Sequence, residues 1–277
     1  MKPPFSFCRM RALLPASVAL NLILFALCAY LLRAHGWHAL GFFVHSANSS
    51  HPVSLEHTVR GSLFDVFATE PARASLVFIG DSLTQYCEWN ELLGRPALNR
   101  GIAGDTTADI LARMNAIAAL HPNQVFLMAG TNDALQQVKF ETFSTNYANI
   151  IHRIQQSNSE AIVYVESIPP MLPNGSGVRL IGKEHAVSIN EVIRTMNERI
   201  RSFADGRSVI YVDLYADLQK NGELNPDYTV DGCHLNFRSY QVWKERIAPF
   251  TPGNSQELPG RAVPLLNSPG GTNEASK

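Results

Sequence analysis

The apolar and polar positions in the middle of the chain form short and long segments in alternation. Short runs rich in valine, isoleucine, phenylalanine and tyrosine predict buried strands, and they are Ser75–Ile79, Pro96–Asn99, Val125–Ala129, Ala161–Glu166 and Ser208–Val212. Longer segments with apolar residues three and four positions apart predict helices, and they are Thr107–Leu120, Phe140–Gln156, Glu184–Phe203 and Phe237–Phe250. Alternating strands and helices predict an α/β fold, in which helices cover both faces of a five-stranded parallel sheet.

The N-terminus has a different pattern. Lys2, Arg9 and Arg11 precede an uncharged, mostly apolar run over residues 12–32, and about 20 such residues suffice to cross a bilayer as a helix. We therefore predict a cytoplasmic N-terminus over residues 1–11 and a membrane anchor over residues 12–32. Because positive charges precede the span, the rest of the chain is expected outside the cytoplasm, in a periplasmic or extracellular location. The alternative is a signal peptide that is cleaved to release a secreted protein.

Composition divides the remaining chain into a linker over residues 33–52, a folded domain over residues 53–250 and a disordered tail over residues 251–277. Apolar residues make up 45% of the sequence and the formal net charge is −1, so nothing indicates a nucleic-acid partner. Five histidines lie between His35 and His57. Their irregular spacing, with no acid or cysteine cluster beside them, favours a solvated stem over a metal site.

Candidate chemistry lies where the predicted strands end, because ligands of parallel α/β sheets bind at the carboxyl ends of the strands. Three strand-end segments and a fourth before the last helix carry polar residues and glycines: Gly80-Asp81-Ser82-Leu83, Asn99 to Thr107, Gly130-Thr131-Asn132-Asp133 and Asp231-Gly232-Cys233-His234. Each segment alone is explained by an ordinary turn. Their occurrence together and in this order predicts a shared site.

The residue types in these segments suit acyl transfer, which needs a nucleophile, a base and donors for an oxyanion. Ser82 offers the hydroxyl and, at a helix N-terminus, a backbone N–H. Gly104 offers a second backbone N–H and Asn132 a side-chain amide. His234 is placed to take the serine proton, and Asp231, three residues earlier, is placed to hold the histidine tautomer.

These segments resemble the four motif blocks of the SGNH hydrolases, also called GDSL esterases and lipases. The family's serine, glycine, asparagine and histidine match Ser82, Gly104, Asn132 and His234, and the acid of its Asp-x-x-His block matches Asp231. The resemblance covers about residues 70 to 250. It implies a three-layer flavodoxin-like fold and hydrolysis of esters or thioesters without metal or cofactor. Catalytic Ser82, Asp231 and His234 would work with oxyanion donors from Ser82, Gly104 and Asn132.

Within the family, "GIAGDTT" and "DGCHLNFRSYQVWKERI" resemble the branch of the platelet-activating-factor acetylhydrolase catalytic subunits. That branch implies short acyl groups, so we predict a serine esterase that removes acetyl or similar groups from carbohydrate or another envelope substrate. One alternative is a lysophospholipase or thioesterase that acts on lipid-type acyl esters. A second, of another class, is an inactive membrane-tethered domain that binds acylated glycan. The segment Pro169–Gly182 is interpreted either as a lid or pocket wall, or as a surface loop.

Four further residues near the motifs have structural or open interpretations. Asp81, Asp105 and Asp133 are interpreted as structural, with the Asp81 carboxylate bonding loop amides. Arg100 is adjacent to the Gly104 segment, where it would contact an anionic substrate or lie at the surface.

Two of the four cysteines, Cys87 and Cys233, lie in the predicted domain. Cys87 follows Ser82 by five residues and Cys233 precedes His234. A location outside the cytoplasm permits a disulfide, so we predict that the two pair. The alternative is two buried small apolar residues.

Overall fold

The computed structural model describes residues 55–69 and 75–251. The predicted anchor, linker and nearly all of the predicted tail lie outside these residues, and so do four of the five histidines near the N-terminus. No helix in the described ranges is long and apolar enough to cross a bilayer.

A five-stranded sheet forms the centre of the fold and confirms the predicted class. Its strands are β1 (Leu76–Gly80), β2 (Leu98–Gly101), β3 (Gln124–Met128), β4 (Ile162–Glu166) and β5 (Val209–Val212). All neighbouring strands are parallel and their order is β2-β1-β3-β4-β5. This is the flavodoxin-like order, in which the chain direction switches between β1 and β3 and leaves a crevice at their carboxyl ends.

In the described ranges one helix precedes the first strand and the others follow the strands. They are α1 (Leu55–Thr69), α2 (Ser82–Gln85), α3 (Trp89–Leu93), α4 (Thr107–Ala112), α5 (Met114–Ala118), α6 (Thr131–Leu135), α7 (Phe140–Ser157), α8 (Lys183–Ser202), α9 (Leu214–Leu218) and α10 (Phe237–Ile247). Short 3₁₀ turns lie at Arg179–Ile181, Pro226–Tyr228 and Ala248–Phe250, and a small antiparallel pair joins β6 (Gln219–Lys220) to β7 (Glu223–Leu224).

Two predicted helices end or break earlier than their apolar spacing indicates. The segment predicted as one helix from Thr107 divides at Arg113, whose side chain turns inward to the Asp105 carboxylate and the Gly80 carbonyl. The last helix ends at Ile247 and continues as a 3₁₀ turn. Pro249 in that turn has no N–H with which to continue the α-helix.

Alternating side chains of the central strands build a core on each face of the sheet. Val77 and Ile79 of β1 pack with α4, α5, α7 and α8, whereas Leu76 and Phe78 pack with the faces of α3, α9 and α10. On the second face the Trp89 ring stacks on Phe78 with a centroid separation of 3.8 Å. Both faces are therefore buried, as a parallel sheet requires.

Helix α1 was not predicted as a helix, and it packs beside the sheet rather than on either main core. Phe64 buries its ring against Ile102 and Ala116. The opposite side of α1 leaves large apolar side chains exposed, among them Leu55 and Val66. This mixed character explains why its apolar positions do not form a single recognisable stripe.

Candidate active site

Ser82 lies where β1 passes into α2. Asp81 caps that helix, because its carboxylate accepts a hydrogen bond of 2.9 Å from the Leu83 N–H. Ser82 is the first helical residue and is 9% exposed. At the other end of α2, the Asn99 side chain donates to the carbonyls of Thr84, Gln85 and Cys87 at 2.8–3.0 Å. The serine is therefore presented by a turn that is fixed at both ends.

Asp231 and His234 form a bonded pair on the loop before α10. Asp231 Oδ2 lies 2.7 Å from His234 Nδ1, while Asp231 Oδ1 accepts the backbone N–H groups of Cys233 and His234 at 2.9 and 2.7 Å. Burial raises the pKa of the Asp231 carboxyl, but these hydrogen bonds outweigh it and lower the pKa to about 2. The bond to Asp231 raises the pKa of His234, against the effect of burial.

The segments that carry Ser82 and His234 meet at the carboxyl edge of the sheet. The Tyr86 ring, one turn after Ser82, has its centroid 5.5 Å from that of the His234 ring. On the other side of the serine, burial raises the pKa of the Asp81 carboxyl to about 7, and the nearby His234 charge acts in the opposite direction. Residues on both sides of Ser82 thus lie within interaction range of the histidine.

Gly104 and Asn132 come from the loops after β2 and β3, on either side of the topological switch. The Asn132 side-chain amide donates to the Asp105 carbonyl at 3.0 Å and lies 3.5 Å from the Asp81 carboxylate. Gly104 has φ = +86°, and a Cβ there would meet nothing within 4 Å. The glycine is required by backbone conformation and it borders open space, which is where a substrate would approach.

The acidic residues interpreted as structural are engaged by protein groups. Asp133 is fully buried and accepts the Thr107 N–H and hydroxyl. The Asp105 carboxylate accepts from Arg113 Nε at 2.8 Å and pairs with His57 Nδ1 at 2.7 Å. Burial raises the pKa of both carboxyl groups.

Arg100 is not at the surface, so that interpretation of it was wrong. Only 6% of the residue is exposed, and its guanidinium lies 4.6 Å from the centroid of the Phe64 ring. Burial, together with the charges of Arg113 and Arg60, lowers its pKa to about 10. Arg100 therefore stacks on α1, a helix that the sequence pattern did not reveal.

The predicted disulfide is absent, because Cys87 and Cys233 are both free thiols. Cys87 packs in the core on the α3 and α10 face of the sheet, whereas Cys233 packs against the core on the opposite face. Burial raises the pKa of each thiol to about 12. The alternative of buried small apolar residues describes Cys87, whereas Cys233 is partly exposed and packs against the core.

The segment from residue 169 to residue 182 supports the Asp231 loop. The Leu172 N–H donates to the Gly232 carbonyl and the Gly177 N–H donates to the Asp231 carbonyl, both at 2.8 Å. A Cβ on Gly175 would lie 2.3 Å from the Asp231 carbonyl oxygen, so the two loops touch through their backbones. The segment is thus a wall behind the Asp231–His234 pair, in place of a free surface loop.

Sequence reasoning missed two residues beside the site, Asn99 and Tyr86. Asn99 stands at the end of a weak predicted strand, and its position beside the Gly104 segment was the available signal. Tyr86 is 53% exposed. An exposed tyrosine one turn after a candidate nucleophile is the pattern that could have indicated it.

A flavodoxin-like domain with a Gly-Asp-Ser turn after β1, and with an aspartate–histidine pair before its last helix, defines the SGNH class of hydrolases. Residues 78–242 match the model of the GDSL-like Lipase/Acylhydrolase family, which is more than half of the chain. The chain belongs to this family, and its domain is a carboxylic ester hydrolase of the GDSL type.

The chain is also similar to individual proteins and to solved structures. The chain is 31% identical to the bovine (Bos taurus) platelet-activating factor acetylhydrolase IB subunit alpha1 over 60% of this chain and 69% of that protein. It is 25% identical to an N-acylneuraminate cytidylyltransferase of Escherichia coli over 63% of this chain, but spans only 40% of that protein's length. A solved structure from Streptococcus pneumonia, described as that of a platelet activating factor, is 25% identical, with a TM-score of 0.62 over 70% of this chain and 92% of that one.

Proposed function

We propose that the protein is a serine esterase in which Ser82 is the nucleophile, His234 the general base and Asp231 the residue that orients the histidine. The observation that carries this proposal is the bond of 2.7 Å between Asp231 Oδ2 and His234 Nδ1. With Nδ1–H donated to the carboxylate, Nε2 is left unprotonated and is available to accept a proton.

Each turnover then has two halves. Ser82 Oγ attacks the ester carbonyl carbon while its proton passes to His234 Nε2. The C–O bond to the alcohol breaks as Nε2 returns that proton to the leaving oxygen, and an acyl-serine remains. Water attacks the acyl-serine by the same route, with His234 as base, and releases the carboxylic acid and the free serine.

The developing negative charge on the carbonyl oxygen is assigned to three donors, the N–H groups of Ser82 and Gly104 and the amide of Asn132. Ser82 is the first residue of α2, so its N–H is one of those that lack an intrahelical acceptor. The Asn132 amide uses one N–H on the Asp105 carbonyl. That bond fixes the side chain. The other N–H makes only a long contact of 3.5 Å with the Asp81 carboxylate, which an oxyanion would replace.

We assign short acyl groups, acetyl above all, on carbohydrate or another envelope substrate. The bovine relative is named as an acetylhydrolase, which supports the acyl length. The half-exposed Tyr86 ring beside His234 supports a ring-shaped leaving group, because His234 hands its proton to the alcohol on that side. Lipid-type acyl esters and thioesters are the second candidate. The exposed apolar side chains of Val230 and Phe237, close in sequence to His234, favour it.

We further propose that residues 12–32 anchor the protein in a membrane and hold the hydrolase domain outside the cytoplasm, beside envelope polymers. The support is the charge pattern of the first 33 residues. Alkaline extraction of membranes, with a protease-protection assay on the full chain, tests this: extraction in soluble form contradicts it.

The test of the reaction is hydrolysis of p-nitrophenyl acetate, butyrate and octanoate by the full chain, with Ser82→Ala as the control. Activity that falls with acyl length and is lost in Ser82→Ala is the expected result. A preference for octanoate would favour the lipid candidate. Activity equal in both proteins would contradict the esterase, and failure of a fluorophosphonate to label Ser82 would then favour an acyl-glycan-binding domain.

A further inference from the structure

Helix α1 lies before the part of the chain that matches the family, residues 78–242, yet it touches the loop that carries Gly104. The two neighbours of Gly104 in the sequence are Ala103 and Asp105. Helix α1 bonds to Asp105 directly and is linked to Ala103 through Gln85. Gly104 is exposed, and a Cβ there would meet nothing within 4 Å, so no side chain packs against that side of its backbone. Its position therefore depends on how its neighbours are held.

Asp105, on the C-terminal side of Gly104, is held by its carboxylate. Oδ1 lies 2.7 Å from His57 Nδ1 of α1, and Oδ2 accepts from Arg113 Nε at 2.8 Å, while the side chain is 2% exposed. The Asp105 carbonyl accepts the Asn132 amide at 3.0 Å. Buried Asp105 thus connects Gly104 and Asn132, which supply two of the three proposed oxyanion donors. His57 is one of the two groups that bind the Asp105 carboxylate.

Ala103, on the N-terminal side of Gly104, is held through α2. The Ala103 N–H donates to Gln85 Oε1 at 2.7 Å, and Gln85 Nε2 donates to Glu56 Oε1 of α1, also at 2.7 Å. Arg60 Nε of α1 adds a bond of 3.0 Å to the Gly101 carbonyl, at the end of β2. Glu56, His57 and Arg60 of α1 thus bond to the loop, to the end of β2 or to Gln85, on both sides of the glycine.

We propose that α1 is a positioning element for the oxyanion hole and that His57 is its principal positioning residue. His57 touches no reacting atom; it acts through Asp105 on the Gly104 N–H and the Asn132 amide. The inference rests on the proposed function, because it requires that these two groups stabilise the transition state. An oxyanion donor favours the transition state over bound substrate, so loss of the His57 contact should lower kcat and leave KM nearly unchanged.

The test uses the full chain with p-nitrophenyl acetate. His57→Leu removes the ring nitrogen, His57→Asn returns an amide N–H near the position of Nδ1, and Ser62→Ala is the control on α1. Ser62 is exposed and its hydroxyl bonds the Val59 carbonyl within the same helix. kcat is expressed per active serine, counted by end-point fluorophosphonate titration, so that misfolded protein is not scored.

We expect His57→Leu to lower kcat about tenfold to a hundredfold, the cost of a small misplacement of a catalytic group, with KM changed by no more than about twofold. His57→Asn should recover most of the loss and Ser62→Ala should equal the wild type. The positioning role is refuted, while the esterase stands, if Ser82→Ala is inactive but His57→Leu keeps the wild-type kcat. It is also refuted if His57→Asn is as impaired as His57→Leu. If Ser82→Ala is as active as the wild type, both proposals fail.

Discussion

Replacement of Asp231 by asparagine tests the core of the site with the smallest change in shape. Asp231 Oδ1 accepts two backbone N–H groups and Oδ2 pairs with His234 Nδ1. Asparagine keeps a carbonyl oxygen for the two amides and places an NH₂ group at Oδ2. Because that group donates, His234 Nδ1 must accept, so the ring proton moves to Nε2, which can then no longer take the proton of Ser82.

The magnitude follows from which bonds survive. The equivalent change in a serine-protease triad lowers kcat about 10⁴-fold through the wrong tautomer, and we expect a loss of that order in Asp231→Asn. Its cost in unfolding free energy should be small, about 1 kcal/mol, because the lost charge-assisted bond is partly exposed and both backbone bonds remain. Asp231→Ala loses all three bonds and should cost about 3 kcal/mol.

The assay is kcat for p-nitrophenyl acetate over a range of pH, with the midpoint of urea unfolding measured on the same samples. Asp205→Asn is the matched control. The Asp205 carboxylate also accepts backbone N–H groups in a turn, those of Arg207, Ser208 and Val209. That turn precedes β5, at the opposite end of the sheet, so the control should keep full activity.

The pH profile gives a second readout for Asp231→Asn. His234 must be neutral to act as a base, and Asp231 raises its pKa. The wild-type activity should therefore fall on the acid side at a pH above the ordinary histidine value of 6.5. The residual activity of Asp231→Asn should fall at a lower pH. A variant that keeps more than about a tenth of the wild-type kcat, with an unmoved acid limb, would refute the assigned role.

Three further predictions concern the surroundings of Ser82. Asn132→Ala should lower kcat about 10²–10³-fold, as expected for loss of one oxyanion donor; a loss confined to KM would contradict that role. Burial raises the pKa of Asp81 to about 7, so the folded state retains a proton that the unfolded chain has lost, and stability falls as pH rises toward 7. Between pH 5 and pH 8, the unfolding free energy of Asp81→Asn should therefore fall by about 2–3 kcal/mol less than that of the wild type. Urea unfolding at both pH values measures the two decreases. Tyr86→Ala should raise KM for aryl acetates more than for ethyl acetate, and equal changes for both esters would show that the ring does not contact the leaving group.

The sheet and the ends of its strands could be predicted because each depends on local pattern. Apolar, β-branched runs bury on both faces of a parallel sheet, and their bounds in the structure differ from prediction by at most two residues. Because loops at the carboxyl ends of parallel strands converge, Ser82, Asn132 and His234 could be predicted to lie at one edge of the sheet. Short sequence motifs were sufficient here because each motif residue lies within a few residues of the end of a strand or the start of a helix.

The predictions that failed were those that depended on which residue a side chain contacts in the folded protein. Cys87 and Cys233 are each close in sequence to a site residue. Their side chains nevertheless pack with the cores on opposite faces of the sheet, so the two thiols do not meet. Arg100 looked like a surface or substrate-binding cation because its partner, Phe64, lies on a helix with no clear apolar periodicity. Nearness in sequence therefore predicted that these residues lie near the site, but it did not predict which side chains they contact.

The aspartates show why residue type alone cannot assign a role at this site. Asp81 and Asp231 both lie within interaction range of His234, yet the pKa of one is raised to about 7 and that of the other is lowered to about 2. Asp81 is 1% exposed and accepts one backbone N–H, whereas Asp231 is 27% exposed at its side chain and accepts two N–H groups and the imidazole. Complete burial thus raises the pKa of Asp81, whereas the three donors on the less buried Asp231 outweigh its burial and keep it ionised beside the histidine. The spacing Asp-x-x-His predicted the bonded pair because this short loop lets one carboxylate reach the imidazole ring and the N–H groups of Cys233 and His234.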